Sequence, residues 1–340
     1  MKRTVIFCVF LTVILFSSFA AKIPDWIENS DKDYPRSSYY VSVRDSKEKD
    51  DAELKAVESI ASVFGQDISS ESETESNMRS LSLSGSVDST EIDKSLNQKI
   101  LRMMNQDDLI GIEIAGSFFD RKANRYYALA VMDKAKAYSI YEKMILNNDK
   151  KARSYISASK KDSFSLVAYS NLLSAYDYAK INEKYALRLE VINLEKAESV
   201  TKSLVKTSQI TPLLLETAQK TKISVKIEND TEKISSVFAK VLSDFGFIVS
   251  EQKSRYELSG ILSFFEREIS GKGITNVEYS LQCKITDRQK GDELVPWSVS
   301  GREGAKTAEY ARLRASEAIK KKITNDYSKD FKNSLGEKYE

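Results

Sequence analysis

Between Gly116 and Pro212 the chain contains neither glycine nor proline. Glycine allows turns that other residues resist, and proline ends helices and removes a ladder donor. A stretch this long without either is sustained by helices far more readily than by strands and turns. The middle of the chain is therefore expected to be helical. Glycine and proline usage then divides the chain, and its size predicts more than one domain. The expected organisation is a leader over 1–20, an α/β unit over 21–134, a helical region over 135–221 and a second α/β unit over 222–340. The fold class is α+β: two small α/β sandwiches with largely antiparallel sheets packed by alanine-rich helices, joined by the helical region.

In the first unit, Ser38–Val43 has strand composition. Asp50–Phe64 reads as a helix with Ala52, Ala56 and Ile60 on one face, widened by Leu54, Val57 and Phe64. Leu109–Phe119 and Arg125–Met132 form a predicted hairpin around the polar turn Asp120–Asn124. Between them, Ser80-Leu81-Ser82-Leu83-Ser84 alternates like a strand inside a Ser/Glu-rich stretch that also suits a loop, so order over 66–105 is left open. In the middle, Asp162 or Ser163 is a candidate cap for a helix bearing Leu166, Tyr169, Leu173 and Tyr176. Leu187, Val191 and Leu194 continue an apolar stripe. Thr211-Pro212 reads as a cap and first-turn proline opening a helix to Lys220.

The last unit begins with a strand at Ile223–Glu228. Asn229 or Asp230 then caps a helix with Ile234, Val237, Val241 and Phe245 inward, stopped by Gly246. Strands follow at Phe247–Ser250, Tyr256–Ile269, Val277–Thr286 and Pro296–Ser300, and a helix at Thr307–Ile323 closes the unit. The stretches "YYVSVRDSKEKDDAELKAVESI" and "PWSVSGREGAKTAEYARLRASEAI" echo each other. Each passes from an aromatic, Val-Ser strand into a helix with alanines four apart and an isoleucine four further on. Small residues at that spacing let a helix lie close on a sheet.

Lys2-Arg3, the uncharged run Thr4–Ala21 and the small-residue site Ser18-Phe19-Ala20 have the form of a secretory signal peptide cut after Ala20. The alternative is an uncleaved anchor, since the run could just span a bilayer. Loss of Lys2 and Arg3 leaves 50 basic residues against 50 acidic. A chain so balanced has no global field to draw nucleic acid or an anionic surface. Cys8 would leave with the leader, so Cys283 has no cysteine to pair with.

The 340 residues include no histidine. That removes histidine-based nucleophilic and acid–base catalysis and most zinc chemistry. "SGREGAKTAEY" at Ser300–Tyr310 brings Lys306-Thr307 between a strand and a helix. A phosphate-cradling loop needs glycine where Ala305 and Ser300 stand, so a plain strand-to-helix connection is the better reading. The acidic pairs Asp50-Asp51, Asp107-Asp108 and Asp292-Glu293 fall at helix starts or turns, and Lys320-Lys321-Lys322 at a helix end. No catalytic, cofactor or metal residue is expected, and the protein is expected not to be an enzyme.

Pro24 and Trp26, the strand Tyr39–Val43, the helix through Ala52 and Ala56, and "LIGIEIAGSFFDRKANRYYALAVMD" at Leu109–Asp133 together resemble the Lpp-twenty family of bacterial envelope lipoproteins. They are also similar to the amino-terminal part of flagellar assembly protein T. The family's lipid-bearing cysteine is absent, and Ser42 and Arg44 replace the glycines usual after the first strand. The last unit more loosely resembles the small α/β domains of curli-secretion lipoprotein G and the TolB amino-terminal domain. The resemblance implies a non-catalytic protein that binds other envelope components.

The leading expectation is thus an exported assembly or scaffold protein of the periplasm or outer membrane. Its partners would be envelope proteins, such as outer-membrane or flagellar components, with no nucleic acid and no lipid anchor of its own. The rivals are a module for cell-wall glycan or another small ligand, and, more weakly, a carboxylate glycosidase. Candidate interface residues are the aromatic doublets Tyr39-Tyr40, Phe118-Phe119, Tyr126-Tyr127 and Phe264-Phe265. Successive strand residues point to opposite faces, so each doublet should turn one ring away from the covering helix.

Overall fold

The computed structural model describes residues 23–64, 110–269 and 273–337. The leader and the Ser80–Ser84 stretch lie outside the described residues. The chain divides into two compact units, Met1–Tyr138 and Ser139–Glu340.

The first unit holds a short helix α1 (Trp26–Asn29), β1 (Tyr39–Ser46), helix α2 (residues 49–64), β2 (Ile112–Asp120) and β3 (Arg125–Asp133). The strands form an antiparallel sheet in the order β1-β3-β2. The β2–β3 turn needs a left-handed residue, supplied by Asn124 at φ +50°, and Asp120 Oδ1 accepts from Lys122 N–H at 2.8 Å. On one face Ser42 pairs with Ala130 and Ser117 with Ala128, and these short side chains let α2 settle with Ala52 and Ala56 fully buried. Leu54 turns outward and is exposed, so the apolar stripe of α2 is narrower than its sequence suggests.

All five residues from Ala128 to Met132 of the central strand are buried, so both faces of the sheet are covered there. On the second face lies Trp26, whose ring comes within 3.2–3.3 Å of where a β-carbon on Gly116 would stand. A β-carbon there would be a tight contact, and the ring would have to give by a few tenths of an ångström. Trp26 is only half-buried, because α1 lies on the outside of the sheet rather than under a second layer. Trp26→Ala is expected to cost about 1–2 kcal/mol, the value of roughly half an indole's burial. Urea unfolding of the full chain measures it, and an unchanged midpoint would show that the ring contributes nothing.

Helix α3 (Lys134–Ser159) leads into the second unit, where it pairs with α4 (Leu166–Thr201). Asn182 Nδ2 donates to Ile145 O at 3.0 Å across the pair, and Tyr141 meets Tyr185 at 5.5 Å between ring centroids. Three sequence readings need correction here. The cap of α4 is Ser165, whose Oγ accepts from Ala168 N–H at 3.0 Å, because Asp162 is engaged elsewhere. Helix α5 (Thr207–Lys220) starts before Pro212. Its first N–H is satisfied by Glu183 of α4 at 2.8 Å, a cap supplied from a distant part of the chain. Leu194 is 68% exposed because α4 breaks at Asn193, which is extended (φ −161°, ψ 94°). Asn193 Oδ1 accepts from Lys196 N–H at 3.0 Å and so caps the continuation of the helix.

The sheet of this unit comprises β4 (Lys222–Glu228), β5 (Ile248–Ser250), β6 (Tyr256–Ile269), β7 (Ile274–Asp287) and β8 (Asp292–Ala305), in the order β5-β4-β6-β7-β8. β6, β7 and β8 form an antiparallel meander, while β4 runs parallel to both neighbours. Helices α6 (Ile234–Asp244), α7 (Ala308–Lys322) and α8 (Ser328–Glu337) supply the core opposite one face. Asp230 caps α6, accepting from Ile234 and Ser235 N–H at 2.5 and 2.9 Å, and Gly246 at φ +88° ends it. Thr307 caps α7. Ala311, Ala315 and Ile319 are fully buried, the same use of the spacing as Ala52, Ala56 and Ile60. The fold class is as the sequence predicts. Among the described residues, no helix is long and apolar enough to cross a membrane.

Candidate interaction surface

In the first sheet, Tyr40, Tyr126 and Phe119 share the α2 face by register, while Tyr39, Tyr127 and Phe118 share the other. Tyr40 packs edge-on to Phe64 of α2 at 5.5 Å, and Phe119 lies 4.6 Å from Tyr126. Phe119 stays 38% exposed although it is on the helix side, because it sits at the hairpin end of β2. Tyr39 meets Tyr34 edge-on at 5.3 Å, so the N-terminal segment already packs its ring.

Phe264 and Phe265 belong to the second unit and divide as strand alternation requires. Phe264 faces inward against the core, with the Arg312 guanidinium 4.7 Å from its ring centroid. Phe265 faces outward and is 60% exposed. On the same face, four residues along the strand and beyond Ser263, Ile261 is 53% exposed. In its own register row Phe265 stands beside Glu278 and then Arg302, and Ile261 stands between Glu228 and Gln282, with Ser298 beyond; the row between the two is all serine, Ser263, Ser280 and Ser300. The result is a polar sheet face, part serine and part charged, carrying two exposed apolar side chains. Ile261 and the serines were not singled out from sequence, although the alternation Glu257-Ser259-Ile261-Ser263-Phe265 carries the signal once Leu258 and Leu262 are read as inward.

A bulge edges this face. Val295 and Pro296 oppose Lys284 alone, and Val295 is held at φ +45°, which a β-branched side chain rarely adopts. The bulge returns Trp297 to the inner side, where it lies 5.4 Å from Tyr327 and donates from Nε1 to Asp330 at 3.2 Å.

Chemically reactive groups do not gather on either sheet. Among the described residues no set of carboxylates and cysteine is arranged to hold a metal ion. Cys283 is buried on the inner face, and burial pushes its thiol up to about 12, so it is a packing residue rather than a nucleophile. The most perturbed ionic group is structural in form. Arg255 grips Asp162 with two parallel bonds of 2.8 and 2.7 Å and Asp287 at 2.9 Å, tying the α3–α4 turn to the ends of β6 and β7. Lys290 adds a bond to Asp162 at 3.2 Å. Each carboxylate has its cation in place, and the hydrogen bonds from Arg255 hold Asp162 down to about 2.

No family model and no curated protein matches the chain. Among solved structures, the secreted protein HP1454 from Helicobacter pylori is 14% identical over 88% of this chain and 99% of its own, at a TM-score of 0.42. A minor lipoprotein from Acinetobacter baumannii is 16% identical over 32% of this chain and 91% of its own, at 0.27. The rare lipoprotein B from Shewanella oneidensis is 11% identical over 33% of this chain and 92% of its own, at 0.24. These similar structures are thus a secreted protein and two lipoproteins, all bacterial.

Proposed function

We propose that this chain is an exported, non-catalytic component of the bacterial envelope that acts in assembly by binding other envelope proteins. The observation that carries the reading is the outer face of the second sheet, where Ile261 and Phe265 are exposed within a polar surround. A sheet face meant only for water is polar at such positions. Apolar side chains ringed by polar ones have the form of an interface centre and its rim. The leader-like start at Lys2-Arg3 and Ser18-Phe19-Ala20 supports export, and the absence of histidine supports a role without catalysis.

Cross-linking and recovery from intact cells tests the reading. Phe265→Ser is expected to reduce partner recovery at least tenfold with the thermal midpoint unchanged, since the ring is mostly in water before binding. Undiminished recovery would remove this face as the interface. Retention on purified cell wall with no protein partner would instead favour a glycan-binding module.

A further inference from the structure

Among the described residues, no strand pairs with the outer edge of β1. Lys134 N–H donates to Ser38 O at 2.9 Å, continuing the β1–β3 ladder. Peptide groups alternate sides along a strand, so Tyr40, Ser42 and Arg44 turn theirs to β3 and Tyr39, Val41 and Val43 turn theirs away. Arg44 Nη1 reaching Val43 O at 2.9 Å agrees with that orientation. The open edge lies in a groove of about 600 Å³, with Ile27 and Ser30 on one side and Ser59, Ile60 and Val63 of α2 on the other. Two further features of the groove point to a ligand. Ser42 Oγ lines it, is buried and has no hydrogen-bond partner. Arg44 and Lys134 also line it, and neither is paired with a carboxylate among the described residues. Arg44 bonds Ser59 Oγ and Val43 O, and Lys134 bonds Arg36 O and sits over the Tyr40 ring. The third cation there, Arg36, is already matched by Asp31, so Arg44 and Lys134 stand against one lining carboxylate, Glu28.

We propose that this edge is a strand-docking site: an extended, acidic segment of another protein adds beside β1 as a fourth strand. Its backbone bonds the outward peptide groups of Val41 and Val43, the Tyr39 N–H being already bonded to Pro35 O at 2.9 Å, and its carboxylates meet Arg44 and Lys134. The Arg44 guanidinium that now caps Val43 O exchanges that carbonyl for a carboxylate, a stronger partner. An exposed edge is ordinarily blunted, and here Pro35 O takes the Tyr39 N–H and Arg44 takes Val43 O, which leaves the Val41 groups between them for a ligand. The proposal rests on the reading that the chain works by binding proteins, and it names a second surface and the chemistry of what fits it.

The test uses the full chain and fluorescence anisotropy with a labelled ten-residue peptide of alternating valine and glutamate. The controls are the same peptide with lysine for glutamate, and one N-methylated at every second residue so that it cannot form a ladder. The acidic peptide is expected to bind at least tenfold more tightly than either control. Val41→Pro removes a donor from the open side alone and should weaken binding at least tenfold. Arg44→Glu, an exposed change that keeps the test valid if the proline variant fails to fold, should reverse the preference between acidic and basic peptides.

Equal binding of all three peptides, or none, overturns the proposal. So does peptide binding that appears only when 65–109 is replaced by a short glycine-serine linker, which would assign the edge to the chain's own segment. Dimerisation abolished by Arg44→Glu would assign it to a second copy and overturn it equally. Peptide failure with intact partner recovery in cells removes the edge site alone, whereas no recovered partner at all removes the function reading beneath it.

Discussion

Arg255→Met is expected to cost about 3–5 kcal/mol of stability in the second unit at neutral pH. The methionine keeps most of the side chain's bulk, so the loss is one of charge. Asp287 is almost fully buried, and without Arg255 it becomes a carboxylate with no cation in a poorly solvated site. Urea unfolding followed at Trp297 in a Trp26→Phe background reports the second unit alone. The acid response gives an independent check. Burial pushes Asp287 up, yet the bonds from Arg255 win and leave its carboxyl below the usual range; Asp162 is held to about 2 by the same guanidinium. Carboxyls depressed in the folded state add stability that is present above their unfolded value near 4 and is lost as pH falls through the folded value. In Arg255→Met the carboxyls are instead easier to protonate. The stability gap between the two proteins should therefore narrow as pH falls from about 5 to about 2. A gap independent of pH would show that Arg255 acts through packing alone.

Phe238→Ala is expected to remove a comparable amount, about 3–5 kcal/mol. Phe238 is fully buried on α6 and stands edge-on to Tyr327 at 4.8 Å and to Trp297 at 6.1 Å, so truncation opens a cavity between three elements. Unfolding in urea should shift to a much lower midpoint, with the Trp297 emission altered before unfolding begins. Tyr327→Phe is the instructive contrast. The Tyr327 hydroxyl is buried without a hydrogen-bond partner, so its removal should be neutral or stabilise by up to about 1 kcal/mol. A large loss in Tyr327→Phe would mean that the hydroxyl has a partner the static structure does not show.

Sequence reasoning found the elements whose signals are local. The alanine spacing at Ala52/Ala56 and Ala311/Ala315, the strand Tyr256–Ile269 and the glycine stop at Gly246 all act within a few residues. It missed what is supplied from afar. Glu183 starts α5 from another helix, and Arg255 takes Asp162 away from capping. A lone Asn193 divides α4 with no proline or glycine to announce it. The tail was missed for another reason: Tyr327, Phe331 and Leu335 recur four apart and are buried, but the π turn Ile323–Tyr327 breaks their phase with α7. Of the candidate surface, the aromatic doublets announced the alternation that exposes Phe265. The serine rows and the β1 groove depend on register between strands far apart in sequence.

The mixed sheet has a consequence for the order in which the second unit assembles. β7 joins β8 through a tight turn at Gly291, so that part of the meander closes short loops. β4 can pair with β6 only after the intervening α6 and β5 are laid down, a register that joins Ile223 to Tyr256. Closing long loops is slow relative to local pairing. The meander is therefore expected to be protected from amide exchange early in refolding, with β4 and α6 protected later, and pulse-labelled exchange would show the sequence. Phe265 lies on β6, so the strand that offers the outward ring would be built before the strand that finishes the sheet.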